Sequence, residues 1–354
     1  MDELHRLRER HDALPDPSAR SVAAARARLT AHMSKPATRR PPVRPLWGIG
    51  LVAACAAAIV AVSIVGRAPA VETPRQHAEG STSPAQELRL RPVASARDLA
   101  DNAAAMAAAE DEGTPAAHEW AYLKKRVART RADGGEWTTG FPEKTAVHEM
   151  WRRADDKRFA GIENGKLKIM KGSEFEVPYP FLLSLPADPA ALLGRVYEQI
   201  DAEQARHREG LYERMKQRYG ERKAKEMPAP VMSAEDRHMR AFQYIALGMS
   251  EAVLPPRLRA AMYGAMARIP GVTYAPRASD LARRKGVALY RIHGGYLRDD
   301  IFIDPQTYAY LGYRTMAVRD HDDNFSTVKK GQIMNWEALL ETAIVAEAGR
   351  RTGS

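Results

Sequence analysis

Twenty consecutive residues without a charge, Leu46 to Val65 ("LWGIGLVAACAAAIVAVSIV"), interrupt an otherwise mixed sequence. As a helix rising about 1.5 Å per residue they extend roughly 30 Å, the thickness of a bilayer's hydrocarbon core. Trp47 stands at one end, where an interfacial anchor belongs. Pro41, Pro42 and Pro45 stop any helix upstream, and Gly66 with Pro69 ends this one. Three rivals face this reading. A soluble core helix would carry polar residues and would not be flanked by proline-rich, charged segments. A cleaved signal would begin near Met1 with a shorter apolar run. A lipobox would use Val52-Ala53-Ala54-Cys55, but apolar residues continue after Cys55, where a lipoprotein turns polar. The reading adopted is an uncleaved span over 46–66, lined by Leu46, Trp47, Cys55 and Val65, with the lipid bilayer as its partner.

Flanking charge orients the span. Arg26, Arg28, Lys35, Arg39, Arg40 and Arg44 precede it, whereas only Arg67 and Arg75 follow closely. The positive side stays in the cytoplasm, so the N-terminus is expected inside and the bulk of the chain outside the cell membrane. The chain carries a formal charge of +10, a balance that suits nucleic acid or an anionic membrane. No basic run is interleaved with aromatics, and no nucleic-acid partner is expected. The single cysteine excludes an intrachain disulfide and a cysteine-based structural zinc site.

Residues 1–45 are too few for a substantial core. Two short amphipathic helices are expected there, broken at Pro15. Leu4 and Leu7 lie on the first; Val22, Leu29 and Met33 make a narrow stripe on the second. These five residues are candidates for docking a cytoplasmic partner. A basic arm on anionic lipid and a merely topogenic tail are the alternatives. Residues 67–86, rich in Pro, Ser and Thr, read as a flexible tether.

From 87 to 354 the pattern reads helix, strands, helices, strands. "ELRLRPV" alternates as a short strand. Ser95 and Asp98 open an Ala-rich helix running to about Glu110. "HEWAYLKKRVART", "TAVHEMWRRA", "DKRFAGIE" and "KLKIMKG" are strands, turned at Asp155-Asp156 and Asn164-Gly165. Asp188-Pro189 starts a long helix whose charged second half is either a solvated extension or a loop. Ser233 with Asp236, and Pro255-Pro256, open two more. The tail returns to strands at "GVTYA", "GVALYRI", "LRDDIFID", "TYAYLGYRTMAVRD" and "GQIMNWEALLETAIVAEAG". This order predicts an α+β domain with a curved, half-barrel-like antiparallel sheet and helices packed on one face.

Chemistry is sparse. "DHDDN" (320–324) offers oxygen ligands but lacks the glycine and terminal glutamate of an EF-hand loop, and reads as a solvated turn. The histidines show no HxxxH or HExxH spacing, and no GxSxG, P-loop or dinucleotide fingerprint occurs. No catalytic residue, cofactor or metal is assigned, and the chain is not expected to be an enzyme. Trp120, Trp151, Tyr290 and Tyr308 are candidates to line a groove for an apolar ligand, the alternative being plain core.

"DELHRLRE", an Ala-rich span and "LRPVASA", followed by "SLPADPAALL", "PRLRAAMYGAMARIPGV", "RKGVAL" and "FIDPQTYAYLG", together resemble a family of single-span membrane proteins of high-GC Gram-positive bacteria. Genes of that family often neighbour extracytoplasmic-function sigma factors, and the family has no established catalytic residues. The resemblance implies a membrane-anchored regulatory or signalling accessory, anti-sigma-like, contacting a sigma factor through its arm. The outer domain is also similar to the half-barrels of lipoprotein carriers. That likeness implies the alternative, an envelope module holding a lipid or lipoprotein. Two departures stand out: the arm is shorter than an anti-sigma domain and has no zinc motif, and the charged insertion at 203–226 is long.

Overall fold

The computed structural model describes residues 90–110, 113–128, 137–227, 231–323 and 327–351. The arm residues Leu4, Leu7, Val22, Leu29 and Met33, the span residues Leu46, Trp47, Cys55 and Val65, and the tether lie outside the described residues. Within them, no helix is long and apolar enough to cross a membrane.

The chain is α+β. Helix α1 (Ala96–Ala107) is followed by β1 (Trp120–Ala128), β2 (Thr145–Arg153), β3 (Arg158–Glu163) and β4 (Lys166–Lys171). Five helices come next: α2 (Tyr179–Leu183), α3 (Pro189–Tyr219), α4 (Glu221–Glu226), α5 (Ala234–Glu251) and α6 (Pro256–Met266). The chain then returns to strands in β5 (Thr273–Ser279), β6 (Lys285–His293), β7 (Leu297–Ile303) and β8 (Tyr310–Ala317). A small pair, β9 (His321–Asp322) and β10 (Thr327–Val328), precedes β11 (Ile333–Val345).

Nine strands form one antiparallel sheet in the order β4-β3-β2-β1-β11-β8-β7-β6-β5. Two hairpin meanders, one before the helices and one after, are joined by β11, which pairs with β1 on one side and β8 on the other. The turns follow local chemistry. Asn164 and Gly165 both take positive φ (51° and 75°), as a two-residue hairpin of primed type requires. Gly294 and Gly295 also take positive φ, in the three-residue loop between β6 and β7.

Alternation assigns the faces. Leu123, Leu289, Ile301 and Ile303 join Leu99, Leu182, Leu192, Phe242, Ile245 and Met262 of the helices in the main core. Their strand neighbours Ala288, Phe302, Leu311, Trp336 and Ala338 form a smaller cluster on the opposite, outer face. The pairing of β1 with β11 skips Leu340, a bulge between Lys124 and Lys125. That extra residue switches parity along β11, so Trp336 and Ala338 face outward before it and Ala343 and Val345 after it.

The caps form as read. Ser95 Oγ accepts from Asp98 N, Asp188 Oδ1 accepts from the amides of Ala190 and Ala191, and Ser233 Oγ accepts from Asp236 N. Other readings need correction. Leu90–Val93 of "ELRLRPV" is no strand, because the Asn102 side chain satisfies Arg91 at both its amide (3.0 Å) and its carbonyl (2.7 Å). The charged half of α3 is helical to Tyr219, breaks at Gly220 (φ 83°) and resumes as α4. Helix α2 carries no sequence signal beyond Pro178; its first amide is held by Asp156 Oδ2 at 2.6 Å.

Candidate functional site

Two features of the fold have the makings of a site. The first is an open groove of about 1060 Å³ between α1 and α6, closed at its ends by the start of α3 and the start of β5. Its volume lies at the upper end of small-molecule pockets. Side-chain size creates it. Ala100, Ala104 and Ala108, four residues apart and hence in one row of α1, line one wall, and Ala260, Ala261, Gly264 and Ala267 of α6 and its C-terminal turn line the other. Gly264 lets α3 close the end: a Cβ there would stand 2.6 Å from Pro189 Cγ and 2.8 Å from Pro189 Cβ.

Arg97, Arg257 and Arg268 ring this alanine-walled trough, with Asp101 the one acidic residue among its lining. Arg268 folds back onto the Gly264 carbonyl at 3.1 Å. Neither Arg97 nor Arg257 pairs with a described carboxylate. The first amides of α3 are occupied by Asp188, so the positive character of the groove comes from guanidinium groups and not from that helix end.

The second feature is a buried polar strip between the sheet and α5. Lys125 Nζ donates to Ser250 Oγ at 2.6 Å and meets Glu337 at 3.3 Å, and Ser250 in turn donates to Glu337. Glu251 lies alongside; burial pushes its carboxyl up to about 7, against the opposing pull of Lys125 and Arg152. Arg152 is itself fully buried, bonded to Asp156 at 2.7 Å and to the Val177 carbonyl at 2.6 Å, with its guanidinium 4.1 Å from the Phe175 ring centre. Farther along the sheet, Asp299 receives Gln243 (3.0 Å) and Thr315 (2.6 Å) and stands 3.1 Å from His293. Burial raises its carboxyl, but its bonds to His293, Thr315 and Tyr313 outweigh that and hold it below the usual range. A lysine on a serine is an arrangement that activates nucleophiles. Here Ser250 is 3% exposed, and its bonds to Lys125 and Glu337 tie α5 to the sheet.

Trp120, Trp151, Tyr290 and Tyr308 do not share a cavity. Alternation and strand order separate them. Trp120 and Trp151 pack with Tyr122 and Ala160 on the outer face, where the Trp151 indole donates to the Arg350 carbonyl at 2.7 Å. Tyr290 lies on that face four strands away, roughly 19 Å at the usual strand spacing, with the Arg298 guanidinium 3.7 Å from its ring centre. Tyr308 is in the helix-side core, in the left-handed region (φ 54°), its carbonyl bonded by Tyr263. None of the four lines the α1–α6 groove. Sequence reasoning missed that groove. The available signal was the four-residue alanine spacing in α1, which becomes a groove only against α6. His321 and Asp322 of "DHDDN" form β9, paired with β10, and His321 stacks on Tyr296 at 3.8 Å.

No family model, curated protein or solved structure matches the chain.

Proposed function

We propose that the chain is a membrane-anchored regulatory protein whose outer domain senses an elongated anionic amphiphile held in the α1–α6 groove. One observation carries this: an alanine-walled trough of about 1060 Å³ rimmed by Arg97 and Arg257, which no described carboxylate pairs. Apolar walls favour a hydrocarbon stem at about 25 cal/mol per Å² buried. A carboxylate or phosphate end gains charge-assisted hydrogen bonds from a guanidinium. The remainder rests on the sequence. Residues 46–66 are the membrane helix, N-terminus in the cytoplasm, and 67–86 are the tether. The nine-stranded sheet is the half-barrel-like scaffold. Leu4, Leu7, Val22, Leu29 and Met33 of the arm contact a sigma factor. The activity is binding, and no reaction is assigned.

The groove equally supports a second reading, an envelope module that holds a lipid or lipoprotein acyl chain while the arm is only topogenic. Full-length protein in neutral nanodiscs, titrated with a fluorescent long-chain fatty acid, tests the shared claim. Saturable binding, weakened about tenfold (1.4 kcal/mol) by Arg97→Ala with Arg257→Ala, is expected. Capture of a sigma factor by the same protein, lost on Leu7→Asp, separates the two. Binding without capture leaves the carrier reading, and absence of both removes the pair.

A further inference from the structure

The sheet has an edge that is not sealed. β4 ends the strand order on one side, so one row of its backbone amides and carbonyls has no partner strand among the described residues. It reads Lys166, Leu167, Lys168, Ile169, Met170, Lys171, so Lys171 shares a face with Leu167 and Ile169. Register with β3 sets Ile169 opposite Ala160 and Leu167 opposite Ile162. Because Ala160 belongs to the outer cluster, Leu167, Ile169 and Ile162 all lie on the outer face. Val147 of β2 shares that face, being two alternations from Trp151. These four aliphatic side chains are 40–52% exposed and spread over three strands.

Edge lysines are a common guard against strand addition. They do not account for four half-exposed aliphatic residues on the same wing. An apolar face next to open backbone is what an added strand uses: main-chain bonds give affinity and alternate side chains give specificity.

The charge pattern selects the occupant. Strands that pair antiparallel keep directly opposed residues on one face. If a second copy paired through β4 with Leu167 opposite Ile169, Lys168 would stand against Lys168, a like-charge pair that destabilises the contact. A register centred on Ile169 would set Lys171 against Leu167. Lys168 already has a partner in Glu163 at 2.5 Å, whereas Lys166 and Lys171 have no ion pair with a described residue. We propose that β4 accepts an extended segment of another protein, with aliphatic residues at alternate positions and Asp or Glu between them. The aliphatic side chains would cover Leu167 and Ile169, and a carboxylate would meet Lys166 on the other face.

The test uses the full chain in nanodiscs and two synthetic seven-residue peptides, one alternating Glu and Val, the other alternating Lys and Val. The acidic peptide is expected to bind saturably and the basic one not. Ile169→Asp should weaken the acidic peptide roughly tenfold. Lys166→Glu changes one exposed side chain, and should shift the preference toward the basic peptide. Failure of the acidic peptide to bind, or a preference unmoved by the charge reversal, overturns the proposal. So does concentration-dependent dimerisation that Ile169→Asp abolishes, since the occupant would then be a second copy.

Discussion

Replacing Gly264 by alanine tests how the groove is closed. A Cβ at this position stands 2.6 Å from Pro189 Cγ, 2.8 Å from Pro189 Cβ and 3.8 Å from Ala100 Cβ. Carbon atoms pack best at about 3.5–4.0 Å, so the proline ring must retreat by about 1 Å. A ring fused to the first turn of α3 cannot rotate aside, and overpacking of this kind costs about 1–3 kcal/mol. Alanine in place of glycine returns about 1 kcal/mol of helix propensity. The net expectation is a loss of up to about 2 kcal/mol. Gly194, in α3, has nothing within 4 Å of a built Cβ and is exposed, so the same substitution there should gain up to about 1 kcal/mol. Urea unfolding of the two full-length variants, followed by helix circular dichroism, reads both. Opposite signs are expected, with Gly264→Ala also weakening fatty-acid binding because Pro189 lines the groove. Equal shifts in one direction would refute the close seating of α3 on α6.

Lys125→Met leaves the partly buried Glu337 without its cation, and should destabilise by about 2–4 kcal/mol in the same assay. Adding Glu337→Gln should recover part of that loss, since the two residues share one network. Glu251 titrates near 7 when folded and near about 4.3 when unfolded. Its stabilising contribution is complete below the unfolded value and gone once pH has risen through 7. Between those limits the native chain should lose up to about 4 kcal/mol relative to Glu251→Gln, seen as diverging urea midpoints. Asn102→Ala removes the two bonds that hold Arg91 and should cost about 1–3 kcal/mol.

What the sequence disclosed was local. Asn164-Gly165 sets its hairpin through positive φ, and Asp188-Pro189 and Ser233 set helix starts through side-chain acceptors. Each signal lies within a few residues of its effect. The misread element, "ELRLRPV", failed because a residue eleven positions on, Asn102, takes the place of a partner strand. The same limit hid both parts of the site. Lys125, Ser250 and Glu337 have no spacing that announces a cluster, and become neighbours only when β1, α5 and β11 stack. Ala100 and Gly264 are likewise joined by the packing of α1 on α6. Trp151 was visible as an aromatic, but not its cover, since the Arg350 carbonyl reaches it from the other end of the chain.

The central claim is that the α1–α6 groove is where a ligand sits. The most direct test is photo-crosslinking of full-length protein in nanodiscs with a long-chain carboxylate bearing a diazirine, followed by peptide mapping. Labels within residues 94–108 and 257–274, reduced by excess unlabelled fatty acid and by Arg97→Ala with Arg257→Ala, are the predicted result. Labels that fall instead on the outer face around Trp120, Trp151 and Ile169, or that do not respond to competition, would contradict it.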